Sequence, residues 1–284
     1  MKHILSLSGG KDSTAMLLRI LELRETEPNA YPLDEVVNVD TGMEFPQMYE
    51  HLEKLKKLVE SKGIKYTTLK SDKSFEYLMC EYEYIGKDGI LHKGYGWSSP
   101  MYRWCTQELK LRVQKKHGNN AQWYIGLAFD EKKRIQRQHN QNHLHPLVDW
   151  GWTEQMCLRY CYEKGYDWGG LYEIFHRVSC WCCPLQSIKE LQKLYTHFPS
   201  LWQKMKDMDS KARNDFRIDY TLEQLDIRFS YDKEIGDNSI SQKDYYEELY
   251  KRFKAAGCPK KPRGFNMDSK KTQSGMQNKI SIRK

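Results

Sequence analysis

No stretch of the 284-residue chain approaches the roughly eighteen consecutive apolar residues of a membrane-spanning helix. No signal peptide is expected either, since Met1 to Leu7 already read as a short apolar strand. The expected location is therefore the cytoplasm, with no membrane partner. Net charge is scarce outside one segment. Of the formal +8, +7 falls between Pro259 and Lys284, where eight basic residues stand against Asp268. The rest is close to neutral, which weakens the case for a basic nucleic-acid-binding fold. The segment 259–284 is expected to be a polar, disordered tail making weak, salt-sensitive contact with polyanions. The Walker phosphate loop is absent as well. It needs a Gly separated by four residues from its Gly-Lys pair and a Ser or Thr after the Lys. Leu5 and Asp12 occupy those positions.

Cysteine, by contrast, is plentiful. Eight thiols in a reducing compartment argue for metal or redox chemistry rather than disulfides. The length suits one large domain or two small ones.

The first strand runs into Ser8-Gly9-Gly10-Lys11-Asp12-Ser13-Thr14 and then into Ala15 to Leu21 at helical spacing. A strand, a Gly-Gly turn and a helix N-terminus converge backbone N–H groups on an anion, and the helix dipole favours negative charge there. The glycines allow close approach to a phosphate, Lys11 supplies a positive charge, and Ser13 and Thr14 add hydroxyls. This run resembles the pyrophosphate loop (PP-loop) of the adenine nucleotide α-hydrolase-like superfamily, in the Lys-Asp version of its ATP-cleaving branch.

Further along, Glu35 to Val39 reads as a buried strand ending in Asp40-Thr41-Gly42-Met43-Glu44-Phe45-Pro46. Ligands of open α/β sheets bind beyond such strand ends, where Asp40 could serve ribose hydroxyls, Mg²⁺ or merely the turn itself. Gln47 to Lys62 is an amphipathic helix and Ile64 to Leu69 the next strand, so the order is β-α-β-α-β. Ile85 to Trp97 is rich in Gly and aromatics and reads as a loop or small hairpin over the site. Arg103-Trp104-Cys105-Thr106 opens a helix that Thr106 could cap. Strand Gln122 to Gly126 leads to Asp130-Glu131 and Arg134, a set suited to phosphate or sulfate.

The Asp40 loop, the Arg103–Lys110 segment, the Gly126–Arg134 element and His145-Pro146-Leu147-Val148-Asp149-Trp150 resemble, in order, segments of the phosphoadenosine phosphosulfate (PAPS) reductase family. The resemblance implies an α/β, Rossmann-like parallel sheet of the HUP type, over about residues 1–150. It implies ATP and Mg²⁺ as ligands, with Lys11, Asp12 and Asp40 in catalysis. The nucleotide would be held by Ser8, Gly9, Gly10, Ser13, Thr14, Thr41, Gly42, Arg103, Gly126 and Arg134.

A mainly helical region, 151–258, carries the second centre. Thr153 begins a helix through Cys157 and Cys161, and Cys180-Trp181-Cys182-Cys183-Pro184 follows. Two thiolates at Cys-x-x-Cys spacing chelate one metal or one cluster edge, and the remaining ligands must come from Cys105, Cys161 or Cys157. The segment Leu171 to Pro184 resembles one in PAPS-reductase-like proteins and in the DNA-phosphorothioation sulfur-transfer subunit, with Ser179 in place of the usual Gly. Cys105, Cys161, Cys180 and Cys183 are the expected ligand set, for a [4Fe–4S] cluster first and Zn²⁺ second. Leu201, Trp202, Met205 and Met208 read as helix core.

The expected activity is cleavage of ATP between its α- and β-phosphates, adenylating an acceptor for sulfur transfer. The acceptor is unnamed, and the partners are a nucleotide, a sulfur-donor protein and a second copy of the chain as a homodimer. One alternative is a sulfonucleotide (PAPS or APS) reductase with Cys258 as its C-terminal thiol. The other is a zinc-stapled nucleic-acid-binding protein whose loop is inert.

Overall fold

A computed structural model describes residues 1–27, 29–118, 120–137, 140–236 and 240–258. The basic segment 259–284 lies outside the described residues, and with it the expected tail.

Five strands form one parallel sheet: β1 (His3–Ser6), β2 (Glu35–Asp40), β3 (Lys65–Lys70), β6 (Gln122–Ile125) and β7 (His143–Leu144), in the order β3-β2-β1-β6-β7. Parallel pairing requires crossovers, and helices α1 (Lys11–Thr26) and α2 (Pro46–Ser61) provide the first two. Central strands of such a sheet are buried on both faces, which is why Ile4, Leu5, Val36 and Val37 lose all exposure. The strand order reverses at β1, so the crevice above β1 is the natural ligand position.

After β3 come α3 (Phe75–Cys80) and an antiparallel hairpin, β4 (Glu83–Ile85) with β5 (Leu91–Lys93). The stretch 85–97, expected as a loop or small hairpin over the site, holds most of this hairpin, which begins earlier, at Glu83, and ends at Lys93. The Arg103 segment does not begin with a capping threonine: Thr106 lies inside a π-helical turn, Thr106–Leu111, that runs into α4 (Arg112–His117). Such turns carry one extra residue per hydrogen-bonded ring and recur at functional sites. Short helices α5 (Lys132–Ile135) and α6 (Pro146–Asp149) flank β7.

The remainder is helical: α7 (Glu154–Glu163), α8 (Leu171–Ile174), α9 (Ile188–His197), α10 (Pro199–Asp209), α11 (Leu222–Ile235) and α12 (Gln242–Ala255). Thr153 caps α7 as expected, its hydroxyl accepting from the Met156 amide. Trp202, Met205 and Met208 are buried and Leu201 half-buried. Core residues from β1 to α12 belong to one continuous cluster, so the helical region packs onto the sheet domain through Trp168, Leu171 and Trp181. Among the described residues no helix is long and apolar enough to cross a membrane.

One buried charge secures the far end of the sheet. Glu35 at the start of β2 has no exposed surface and accepts from Lys2 at 2.5 Å, Lys65 and His117 at 3.1 Å, and the Thr67 hydroxyl. Burial alone would raise its pKa, but these partners outweigh it and hold the carboxyl down at about 2. A depressed acid contributes stability above its unfolded pKa and loses it as pH falls through the folded value. Glu35→Gln is expected to cost about 2–3 kcal/mol at neutral pH, by loss of charged hydrogen bonds. It should also flatten the acid limb between pH 4.5 and about 2. Urea titration giving an unchanged midpoint at pH 7 would contradict this account of Glu35.

Candidate active site and thiol centre

The loop leaving β1 is tightly constrained. Gly9 has φ +79°, and a Cβ there would come within 2.7 Å of the Met48 sulfur and 3.0 Å of Leu52. Only glycine fits. The Gly9 carbonyl accepts from Trp168 Nε1 at 2.6 Å and from the Thr14 hydroxyl at 3.3 Å. Thr14 also meets His51 Nε2 at 3.0 Å. It is fully buried and turned inward, whereas Ser8 is exposed and its hydroxyl lies 3.0 Å from that of Ser13. Burial lowers the His51 pKa to about 4, so a neutral imidazole stacks on Trp168 at 4.7 Å. Gly10 is the N-cap of α1, and the Lys11 amide donates to the Tyr172 hydroxyl at 2.9 Å. Trp168 and Tyr172 thus brace the loop from the cysteine-bearing region.

Three acids converge at the loop's mouth: Asp12 from the first turn of α1, Glu131 before α5, and Glu154 at the start of α7. Among the described residues this is the group whose ligand atoms all lie within 4.8 Å of one another. The Asp130 carboxylate accepts from the Glu154 amide at 3.0 Å, and Glu131 pairs with Arg134. The Lys11 ammonium lies 2.6 Å from Glu154 and 3.7 Å from Asp12. Asp12 Oδ1 is buried without a hydrogen-bond partner. Burial, reinforced by Glu154, Glu131 and Asp130 against the opposing Lys11, raises the Asp12 pKa to about 6. On the far side a Cβ on Gly126 would lie 2.8 Å from the Ser13 backbone, so the β6 end abuts the first turn of α1.

Asp40 is not part of this group. It accepts from the Gly42 amide at 2.8 Å, Tyr49 at 3.0 Å and Lys70 at 2.8 Å. Burial works against ionisation, but those three partners prevail and hold it below the usual carboxylate range. Asp40 therefore fastens its own turn, and the structure does not bring it to Lys11. Gly42, at φ +77°, belongs to that turn, while Thr41 faces the thiols, 4.0 Å from Cys180 Sγ.

The Cys180–Cys183 turn docks on this second loop. The Trp181 amide donates to the Met43 carbonyl at 3.1 Å, and the Cys183 amide closes the turn onto the Cys180 carbonyl at 3.2 Å. The Cys180 thiol donates to Glu44 at 3.5 Å, and Lys110 from the π-helical turn lies 3.9 Å from the same carboxylate. Burial pushes the Cys180 thiol up, with Glu44 adding, Lys110 opposing, and Cys183 and Cys105 adding further. Cys182 and Cys183 are raised chiefly by burial, and each feels Cys105. Desolvation opposes the charge on half-buried Lys110, but its surroundings at Cys180, Glu44 and Cys105 outweigh it and raise the Lys110 pKa. Four thiols, Cys105, Cys180, Cys182 and Cys183, thus share one environment, with Lys110 acting on Cys180 and Arg103 and Arg177 on Cys183.

Cys161 is not brought to them. It is buried on α7 against α1, and its thiol donates to the Lys11 carbonyl at 3.5 Å. Cys157 shares that environment, and burial followed by the Asp12 charge raises both. Their spacing of four residues puts them on one helix face, packed behind the phosphate loop. Arg103 is exposed, lining a cleft of about 740 Å³ with Tyr102 and Lys115.

The profile of the phosphoadenosine phosphosulfate reductase domain matches residues 2–186. The chain belongs to that family. The PAPS reductase domain so defined contains both centres, since it starts before the phosphate loop and ends just past Cys183. Two uncharacterized proteins of Methanocaldococcus jannaschii are similar at 27% identity over 218 and 219 residues, 72% of this chain in each case. The matched stretch is 41% and 46% of their lengths, less than half. The U34-tRNA thiolase NcsA of Methanococcus maripaludis, solved with its [4Fe–4S] cluster, aligns over 85% of this chain and 83% of its own, at 14% identity and TM-score 0.38.

The donor sets of this PAPS reductase domain differ in hardness. Asp12, Glu131 and Glu154 offer only oxygen, with one lone-pair site on Asp12 unused, which fits Mg²⁺. The thiols fit a soft metal. Tetrahedral zinc needs sulfurs about 3.8 Å apart, from its ~2.3 Å Zn–S bonds. No three of these thiols lie within 4.8 Å of one another among the described residues. An iron–sulfur cluster, whose thiolates bind separate irons, does not need its sulfurs that close together.

Proposed function

We propose that this PAPS reductase family chain is a PP-loop enzyme that cleaves ATP between its α- and β-phosphates and adenylates an acceptor for sulfur transfer. The observation that carries the reading is Lys11, 7% exposed at the N-terminus of α1, with its ammonium held by Glu154 at the mouth of the loop. A buried cation at a helix N-terminus and a topological switch point is a strong seat for a polyphosphate. In the reaction the acceptor oxygen attacks the α-phosphorus and the bond to the β-phosphate oxygen breaks, releasing pyrophosphate. Lys11, the loop amides and the Ser8 and Ser13 hydroxyls stabilise the negative charge that moves onto the leaving group. Asp12, Glu131 and Glu154 would hold Mg²⁺, which supplies charge neutralisation at the phosphates. Cys105, Cys180 and Cys183, with Cys182 beside them, would hold the cluster, which supplies a site for sulfur.

The reductase alternative finds no support at Cys258. That thiol donates to Glu223 at 3.0 Å, and burial together with that carboxylate pushes its pKa up to about 11, the reverse of an activated nucleophile.

Proton and metal compete for Asp12. Affinity for ATP–Mg²⁺ is therefore expected to rise as pH climbs through about 6 and to level off above it. Asp12→Asn should bind weakly with no such rise. Because the native pKa is raised, the metal-free protein should lose stability with rising pH between 3.8 and about 6, where only the folded state holds the proton. Calorimetry across that range checks both. Wild-type ATP–Mg²⁺ affinity that stays flat would contradict the assignment of Asp12.

A further inference from the structure

Neither centre uses the β4–β5 hairpin or the segment that follows it. Strand alternation places Tyr82, Tyr84 and His92 on one face, with Tyr84 opposite His92. Glu83, paired with Lys93, points to the other face. The tyrosine face continues beyond the hairpin. Tyr84 stacks with Tyr82 at 6.2 Å and packs on Tyr95 at 4.8 Å, and Tyr95 meets Tyr102 edge-on at 5.9 Å. Four partly exposed rings therefore form one row, ending at Tyr102, which is 49% exposed. Tyr102 opens onto the 740 Å³ cleft lined by Arg103, Arg112 and Lys115. The next residues, Trp104 and Cys105, lead straight to the thiol centre.

Cations accompany the rings. Lys73 sits 3.7 Å from the Tyr82 centroid and Arg213 is 5.9 Å from that of Tyr84. Two of the nearby acids are already paired: Asp88 holds His92 at 3.0 Å and Glu108 holds Arg112 at 2.5 Å. Lys73, Arg103, Lys115 and Arg213 form no ion pair among the described residues. Successive aromatic faces beside unneutralised cations suit successive bases and their phosphates, as on single-strand-binding platforms. A duplex keeps its base faces stacked inside and offers only the phosphates.

We infer that this row is a docking surface for a single-stranded nucleic-acid segment. The inference rests on the sulfur-transfer reading only in making that segment the acceptor; the binding itself is measured without ATP. Fluorescence anisotropy of the full chain with labelled oligo(U) and oligo(dT) of about twelve nucleotides, and with a duplex of equal length, tests it. Single strands should bind more tightly than duplex, and the preference between the two oligonucleotides assigns RNA or DNA. Tyr84→Ala and Tyr102→Ala should each weaken binding roughly tenfold, whereas Tyr84→Phe should retain it. Lys115→Ala combined with Arg213→Ala should flatten the salt dependence by about 0.7 in log–log slope per lost phosphate contact.

Duplex binding as tight as single-strand binding would overturn the proposal. Binding untouched by both alanine substitutions would overturn it too, assigning the contact to the basic residues after 258. So would absent oligonucleotide binding together with self-association that Tyr84→Ala abolishes. The nucleotide reading stands or falls separately, on calorimetric ATP–Mg²⁺ binding, whichever of these results is obtained.

Discussion

Lys11→Ala is expected to lower ATP turnover by roughly a hundred- to a thousandfold, the range seen when one preorganised charge-stabilising donor is removed. The ammonium is almost wholly buried, so its interaction with a developing charge is little screened by water. In the nucleotide-free protein it is held by Glu154, and Asp12 lies 3.7 Å away. A phosphate must therefore take over the role that Glu154 plays. Removing Lys11 leaves Glu154 about one-third exposed, where water can solvate it, so the fold should survive and the loss should appear in turnover. Steady-state kinetics with ATP checks this against a melting curve of the same variant. Turnover within a factor of about two of wild type, with the fold intact, would remove Lys11 from the chemistry.

The second large effect is at the thiols. Anaerobic purification should give a brown protein containing iron and acid-labile sulfide. Cys180→Ser, Cys183→Ser and Cys105→Ser should each abolish the iron, because these half-buried sulfurs share one environment beside Lys110 and Arg103. Cys161→Ser should keep it, since Cys161 donates to the Lys11 carbonyl on the other side of the loop. Cys80→Ser and Cys258→Ser should keep it as well. Iron and sulfide analysis of the six variants decides the matter. Stoichiometric zinc without iron would turn the centre into a structural staple, and eight freely titrating thiols with no metal would discard it.

The features legible from sequence were those carried by consecutive residues. Ser8–Thr14 states the strand, the turn and the helix start within one run, and the buried Val36-Val37 pair marks a parallel strand. Glycines between aromatics in 85–97 left a loop and a small hairpin both open, and the β4–β5 hairpin overlaps that stretch. What escaped depended on distant partners. Glu154 looks like an ordinary first-turn acid of a helix, and only the docking of α7 against α1 brings it to Lys11 and Glu131. Tyr172 and Trp168 brace the loop across more than 150 residues of chain. Asp40 could have capped a turn or bound a ligand, and the choice was made by Tyr49 and Lys70 on neighbouring elements. Cys157 and Cys161 looked like ligand candidates because a helix face reads the same whether it packs or chelates. β7, two residues long, is too short to leave a periodic signal.

Product analysis tests the central claim most directly. The anaerobically purified full chain is incubated with Mg²⁺ and ATP labelled at the α- and γ-phosphates, with single-stranded RNA or DNA as the acceptor, and its products are resolved by chromatography. The account predicts γ-label in pyrophosphate and α-label in AMP or on the acceptor, all lost in Lys11→Ala. Release of ADP with inorganic phosphate, or untouched ATP beside thiol-dependent reduction of PAPS, would contradict it.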